Sequence, residues 1–527
     1  MSSDKGHSPF VPRARYKRVD PSSGPDHPSR NLLLFLDGTG NTFGSEISNV
    51  IKLSSLASQD PAKQLVYYQS GIAVDYGPWS PLQRVRDLVD AGIAFSLPTH
   101  VQDAYKWLMN HWNPGDEIFI FGFSRGAFTG RALAGMLQQV GLLPAGNEES
   151  VAMAYSVYSR KADTVLVEGR ETLAQGFKRT FSRDVYCHFV GVWDTVSSVG
   201  AIIPRTLPFA QGSNYIRHFR QAFALDERRA RYAEQPYIFD TTQPPFSSTV
   251  GSYFAVPAPP CSVKEVWFAG SHSNVGGGEF AYDGDVSPSL SNLSFKWMVR
   301  EAVEAGVQLD HHALSTSPVF APFYTSAQRV VDRIRANNTV DKDDAVVAFV
   351  ERCRARHGSS FSSSTTTTTN HEIDELACAV VFFAAQPGPL STADALALRG
   401  DHLAVGSVQS SNTKARGISH KFKAFLKRVV ARAIALGWWT LELSPTLKVT
   451  WDVDGDTRRW RFRSNLGRGR LLPPNASFHY SVKTRLDATS NEFSRYGNDE
   501  NVDEGEHYTP SARFRPGQSL ANVKFVE

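Results

Sequence analysis

The sequence predicts an α/β protein, a mostly parallel sheet with helices on both faces, and three observations carry that prediction. From residue 31 onward, short apolar runs alternate with amphipathic helical segments, the pattern of strands joined by covering helices. Runs such as NLLLFL (31–36) are apolar almost throughout, as a buried strand must be. One run, EIFIF (117–121), empties into Gly122-Phe123-Ser124-Arg125-Gly126 and then into a helical segment full of small residues. The 527 residues, 41% hydrophobic and 20% charged, have the composition of a soluble globular chain with room for one elaborated domain plus extensions.

The elements follow in order. NLLLFL (31–36) and LVYY (65–68) read as strands, and VQDAYKWLMNHW (101–112) as a helix stopped by Asn113-Pro114-Gly115-Asp116. EIFIF (117–121) is the next strand, followed by a helix from about 125 to 140. VYCHFVGVW (185–193) and VKEVWFA (263–269) are further strands, and SLSNLSFKWMVREAVEAGV (289–307) is an amphipathic helix. These elements delimit a core at 31–312, preceded by a polar, Pro- and Ser-rich tail at 1–30. A helical insert or cap spans 313–436, with a flexible Ser/Thr-rich loop at 358–370. A strand-rich C-terminal extension, 437–527, holds LKVTWDV, RRWRFR and SFHYSVKTR.

Composition narrows the function classes. A net charge of +4 is small for this length, so nucleic acid is not expected as a partner. Cys187, Cys261, Cys353 and Cys378 stand far apart without metal-like spacing, so no metal is expected and buried thiols in a reducing compartment are. The longest clean apolar run, 377–385, is too short to cross a bilayer, and the N-terminus has no secretory core. A cytoplasmic location is the expectation.

The lone serine between glycines has a physical reading. A residue turned sharply from strand to helix sits in strained backbone, and the positions two before and two after it crowd together. Gly122 and Gly126 occupy those positions in G-x-S-x-G, the nucleophile elbow of an α/β-hydrolase-type sheet. Such a hydroxyl needs a base oriented by a carboxylate, in chain order Ser, Asp or Glu, His, each at a strand exit. Asp194 follows HFVGVW and His272 follows EVWFAGS, which makes Ser124, Asp194 and His272 the candidate triad. His188 lies inside a strand, and His311 and His312 lie beyond a helix, so none of these fits. The oxyanion donors are expected at the backbone of Arg125 and of the Asp37-Gly38 region in FLDGTGNT. A phosphotransfer reading of that loop requires an aspartate where the chain has Phe35, and fails there.

Taken together, these blocks resemble the α/β-hydrolase catalytic domain of type VI secretion phospholipase effectors, a domain also found in many fungal and bacterial proteins of unknown function. The matching segments are LLFLDGTGNT, SNVIKLSSL, VYYQSGI, the run from HVQDAYKW to AGML, VGVWDTVSSVG, ALDERRARY, EVWFAGSHSNVGGG and LSNLSFKWMVREAVEAG. A weaker echo continues through GWWTLELSP and RSNLGRGRLLPP to FHYSVKTR. The resemblance implies an esterase that releases fatty acids from phospholipids without a metal or cofactor, with Ser124, Asp194 and His272 as nucleophile, acid and base. The chain departs from the pattern at Gln221-Ala222-Phe223, where the family usually has histidine, and in its Ser/Thr-rich insert.

Weaker signals have plainer readings. KFKAFLKRVVARAIAL (421–436) has a basic face suited to peripheral membrane contact, though a helix packed on the domain is the favoured reading. RRWRFRSNLGRGR (458–470) reads as a strand with arginines outward, and DVDGD (452–456) as a hairpin turn. Two rival functions stay open: a patatin-like Ser–Asp dyad with Asp283 as base, and a non-catalytic α/β-hydrolase-fold scaffold. The sequence does not fix an oligomeric state.

Overall fold

The computed structural model describes residues 29–38, 47–71, 86–160, 166–167, 171–196, 207–229, 232–238, 261–278, 290–335, 345–358, 375–386, 446–451, 458–463, 468–473, 475–487, 510–514, 519–520 and 523–526. Asp283, the segment 421–436, the turn 452–456 and nearly all of the Ser/Thr-rich stretch lie outside the described residues.

Strand β1 (Asn31–Leu36) is where the topology turns: β2 (Gln64–Gln69) pairs on one side and β3 (Glu117–Phe123) on the other, both parallel. Past a two-stranded ribbon, β4 (Leu166–Val167) with β5 (Glu171–Thr172), the sheet grows outward through β6 (Cys187–Trp193), β7 (Ile216–Ala224) and β8 (Ser262–Phe268). β9 (Thr446–Trp451) and β10 (Arg458–Arg463) form an antiparallel pair of their own. β11 (Ser477–His479) and β12 (Lys524–Val526) complete the main sheet beyond β8. The order is β12-β11-β8-β7-β6-β3-β1-β2 and every pairing in it is parallel. The chain runs from β1 out to β2 and then crosses back over β1 to β3, which puts the topological switch point at the carboxyl ends of β1 and β3.

Strand periodicity sorts the core into two layers. Leu32, Leu34, Leu36, Ile118 and Ile120 face one side, against α2 (Arg86–His111), α3 (Ser124–Val140), α4 (Val151–Tyr158) and α5 (Leu173–Phe181). Leu33, Phe35, Phe119, Phe121 and Phe189 face the other. They meet α1 (Asn49–Leu56) and α7 (Ser291–Glu304), backed by α9 (Tyr324–Arg335), α10 (Ala345–Gly358) and α11 (Glu375–Ala385). Two short helices, α6 (His272–Gly276) and α8 (His311–Thr316), add Val275 and Leu314 to this second layer. Each fully buried phenylalanine stabilises the layers by about 1.5–3 kcal/mol.

Three differences from the sequence expectation bear most on the sheet. β7 matches no expected element, because Arg217, His218, Arg220 and Gln221 break its apolar pattern. The sheet accepts them through distant partners: Arg220 is ion-paired to Glu301 of α7, and Gln221 accepts from Arg131 of α3 (3.3 Å). The helix expected at 101–112 begins instead at Arg86 and runs through Pro98. SFHYSVKTR is a strand only over Ser477–His479, and a helix, Tyr480–Asp487, follows. Its buried residues Ser481, Val482 and Arg485 have helical spacing, which outweighs the β propensity of Tyr, Val and Thr. The C-terminal region thus places two strands in the central sheet.

Candidate active site

Five strand ends meet at the carboxyl edge of the sheet. β3 delivers Ser124 directly into the first turn of α3, with φ of 57°, a left-handed conformation that costs a residue with a side chain roughly 1–2 kcal/mol. Among the described residues only Ser124, Asp194 and Phe209 have positive φ without being glycine. Two of those three therefore face each other across this site. Gly126 explains the tight turn, since a Cβ there would stand 2.2 Å from the Leu36 carbonyl oxygen and 2.5 Å from that of Asp37. A Cβ on Gly122 would meet the Ala127 backbone at 2.8 Å. The elbow fits only because both positions lack side chains.

Asp194 continues β6, its N–H donating to Ala222 O (2.8 Å), and is fully buried. His272 opens α6 just past β8, with the Ser271 N–H held by Asn274 Oδ1 at 2.8 Å. The imidazole bridges the other two: Nε2 lies 2.8 Å from Ser124 Oγ and Nδ1 2.5 Å from Asp194 Oδ2. An ionised carboxylate only accepts, so Nδ1 carries the proton and Nε2 offers its lone pair to the serine hydroxyl. Phe123 and Tyr232 flank the ring, each with its centroid 4.6 Å away. These contacts limit its rotation.

Charges around the ring are balanced. Burial opposes ionisation of Asp194, but Arg470 and the His272 hydrogen bond outweigh it and hold the carboxyl well below the usual range. Burial also lowers His272 from its ordinary value, against the pull of Asp194 and Glu227. Glu227, likewise buried, accepts from the His272 N–H (3.2 Å) and pairs with Arg229 through both oxygens, at 2.9 and 2.7 Å. Burial would raise its carboxyl, yet Arg229 keeps it low.

The expected oxyanion donors divide. The Asp37 N–H donates to Gln69 O (3.0 Å) as part of the β1–β2 ladder, which removes it from the candidates. The Gly38 N–H donates to its neighbour's carboxylate, Asp37 Oδ1, at 2.7 Å. That carboxylate also accepts from Ser48 Oγ (2.7 Å) and from the Tyr68 hydroxyl (3.2 Å). Arg125 occupies the first turn of α3, where backbone N–H groups have no intrahelical acceptor.

Sequence reading did not find Arg470, Glu227, Asp226 or Tyr232. Three of them lie in ALDERRARY, and the fourth ends the RGR of a distant segment. Acidic and basic residues clustered just after an apolar stretch were the available signal. Among the described residues, no group of three or more His, Cys, Asp or Glu side chains is arranged to hold a metal ion, and no helix is long and apolar enough to cross a membrane.

Comparison with known proteins adds ancestry to this geometry. The chain is 28% identical to "Uncharacterized protein YEL023C" of Saccharomyces cerevisiae, over 89% of this chain and 80% of that protein. Among solved structures it is similar to an uncharacterized protein from Pseudomonas aeruginosa, at 18% identity and a TM-score of 0.31, over 78% of this chain but only 60% of that one. It is also similar to the Tle1 effector bound to the VgrG spike of the type 6 secretion system, at 14% identity and a TM-score of 0.32, over 72% of this chain and 88% of that one. The model of the T6SS phospholipase effector Tle1-like catalytic domain matches residues 30–301, just over half of the chain, and the chain belongs to that family.

Proposed function

We propose that this protein is a serine hydrolase that cleaves an acyl ester of a lipid, most simply a phospholipid. Membership in a phospholipase effector family supports hydrolysis of a lipid. The observation that carries the mechanism is the relay from Asp194 Oδ2 through the His272 ring to Ser124 Oγ, at 2.5 and 2.8 Å.

In this reading His272 Nε2 takes the proton of Ser124 as Oγ attacks the ester carbonyl, and Asp194 fixes the tautomer and supports the imidazolium. The negative oxygen of the tetrahedral intermediate meets the backbone N–H of Arg125, at the positive end of α3. The Gly38 N–H is the second donor, exchanging its Asp37 carboxylate for the substrate oxygen. Collapse of the intermediate expels the alcohol, protonated by His272, and leaves an acyl group on Ser124. Water, activated by the same histidine, then releases the fatty acid.

The test is fatty-acid release from phosphatidylcholine vesicles, compared between the wild-type chain and His272→Ala. Wild type is expected to yield fatty acid and lysophospholipid in equal amounts, and the variant to lose activity by about 10⁶-fold, as in another serine hydrolase. A His272→Ala protein that keeps wild-type turnover refutes the triad and favours a serine–aspartate dyad. Wild type that turns over a p-nitrophenyl ester but no phospholipid refutes the lipid assignment alone.

A further inference from the structure

A guanidinium from outside the family-matched region grips the acid of the site. Arg470 is 276 residues from Asp194 along the chain and is itself buried. Its Nη1 donates to Asp194 Oδ1 (2.5 Å) and Ala224 O (3.0 Å), and its Nη2 to Asp194 Oδ2 (2.8 Å) and Tyr232 O (2.6 Å). Nε donates to Tyr232 O at 3.2 Å, with Glu234 Oε2 3.7 Å away. The whole donor fork is engaged, two of its arms on one carboxylate.

The segment that brings Arg470 here is locked in place. A Cβ on Gly469 would stand 1.8 Å from Ser511 O, so only glycine permits the approach of the two strands of chain. Arg513 N–H donates to Arg470 O (2.7 Å), and Leu472 N–H to Arg513 O (3.0 Å). Asp226 ties this strap to the histidine loop, one oxygen accepting from Ser511 N–H (2.8 Å) and the other from Gly270 N–H (2.7 Å).

We propose that Arg470 is a positioning residue of the active site: its fork fixes the Asp194 carboxylate with one oxygen toward His272, and its charge offsets that of Asp194 at the imidazole. The inference rests on the Ser124–His272–Asp194 reading above. Both effects follow from the contacts. Oδ1 is held by Arg470 and by the Ala224 N–H (2.9 Å), which leaves Oδ2 to divide between Arg470 and His272. The charged groups facing the ring are Asp194 from the end of β6, Glu227 and Arg229 from the loop after β7, and Arg470 from the strap. Two carboxylates and two guanidiniums surround the ring, and Glu234 stands behind Arg470, 3.7 Å from its Nε. Removing Arg470 leaves a surplus negative charge beside His272, which favours the protonated, inactive base.

The test is the pH dependence of Ser124 labelling by a fluorophosphonate in the full chain, comparing wild type, Arg470→Lys and Arg470→Gln between about pH 5 and 9, a range that brackets the ordinary histidine value. Wild type should show its acid limb below about 6.5, the ordinary histidine value. Arg470→Gln should label about 10²-fold more slowly at its plateau, with the limb raised by roughly one pH unit or more. Arg470→Lys should keep the wild-type limb yet label about tenfold more slowly, because an ammonium cannot span both oxygens. A brace with no role in the chemistry would lower the folded fraction and leave the limb unmoved in both variants. That result overturns the proposal, as does an Arg470→Lys protein that keeps both the wild-type rate and the wild-type limb. Wild type that is not labelled on Ser124 at any pH instead strikes the underlying hydrolase reading, and this inference with it.

Discussion

Ser124→Ala is expected to abolish ester turnover by about 10⁶-fold while leaving the thermal midpoint nearly unchanged. The two halves of that result have separate causes. In the proposed mechanism, loss of Oγ removes the atom that forms the acyl intermediate, and His272, still held by Asp194 at 2.5 Å, has nothing left to deprotonate. The backbone strain at Ser124, with φ of 57°, is the same for alanine as for serine, since both carry a Cβ. Ser124→Gly separates strain from chemistry. It should be equally inactive yet more stable by about 1 kcal/mol, because glycine adopts positive φ without penalty. A melting curve for each protein checks this. A glycine variant that is less stable than wild type would show that the elbow stores no strain.

Gly126→Ala should be the most damaging small substitution in the elbow. Its added methyl would meet two carbonyl oxygens of the chain leaving β1, at 2.2 and 2.5 Å, and neither belongs to a flexible side chain. β1 is paired on both edges, so relief requires α3 to lift from the sheet. More than about 3 kcal/mol of destabilisation is expected, read as loss of soluble protein or a collapsed denaturation midpoint. Gly146→Ala is the control: its φ of 80° is positive, unlike that of Gly126, but nothing lies within 4 Å of an added Cβ. That change should cost only about 1 kcal/mol. Equal losses at the two positions would contradict the steric explanation.

How far the sequence revealed this arrangement depended on whether a residue's role is local. The apolar runs of β1, β3, β6 and β8 announce themselves, since a strand covered on both faces has nowhere to put a charge. Ser124 was legible because the constraint on it falls two residues to either side, at Gly122 and Gly126. Asp194 and His272 were legible as strand exits in the expected order. β7 was hidden because its polar side chains find partners far away, Arg220 at Glu301 and Gln221 at Arg131. Arg470 was hidden for the same reason at greater range: no local pattern distinguishes this buried arginine from the five others in RRWRFRSNLGRGR. That the Asp37 N–H is already engaged was hidden, because the β1–β2 ladder extends one residue past the end of the strand.

In the proposed mechanism Ser124 becomes a nucleophile only through His272. Treating the full chain with a fluorophosphonate and locating the adduct by peptide mass spectrometry checks this. One stoichiometric adduct on Ser124 is expected, lost in His272→Ala although that protein still melts cooperatively. Labelling of Ser124 at the wild-type rate without His272, or an adduct confined to another residue, would contradict it.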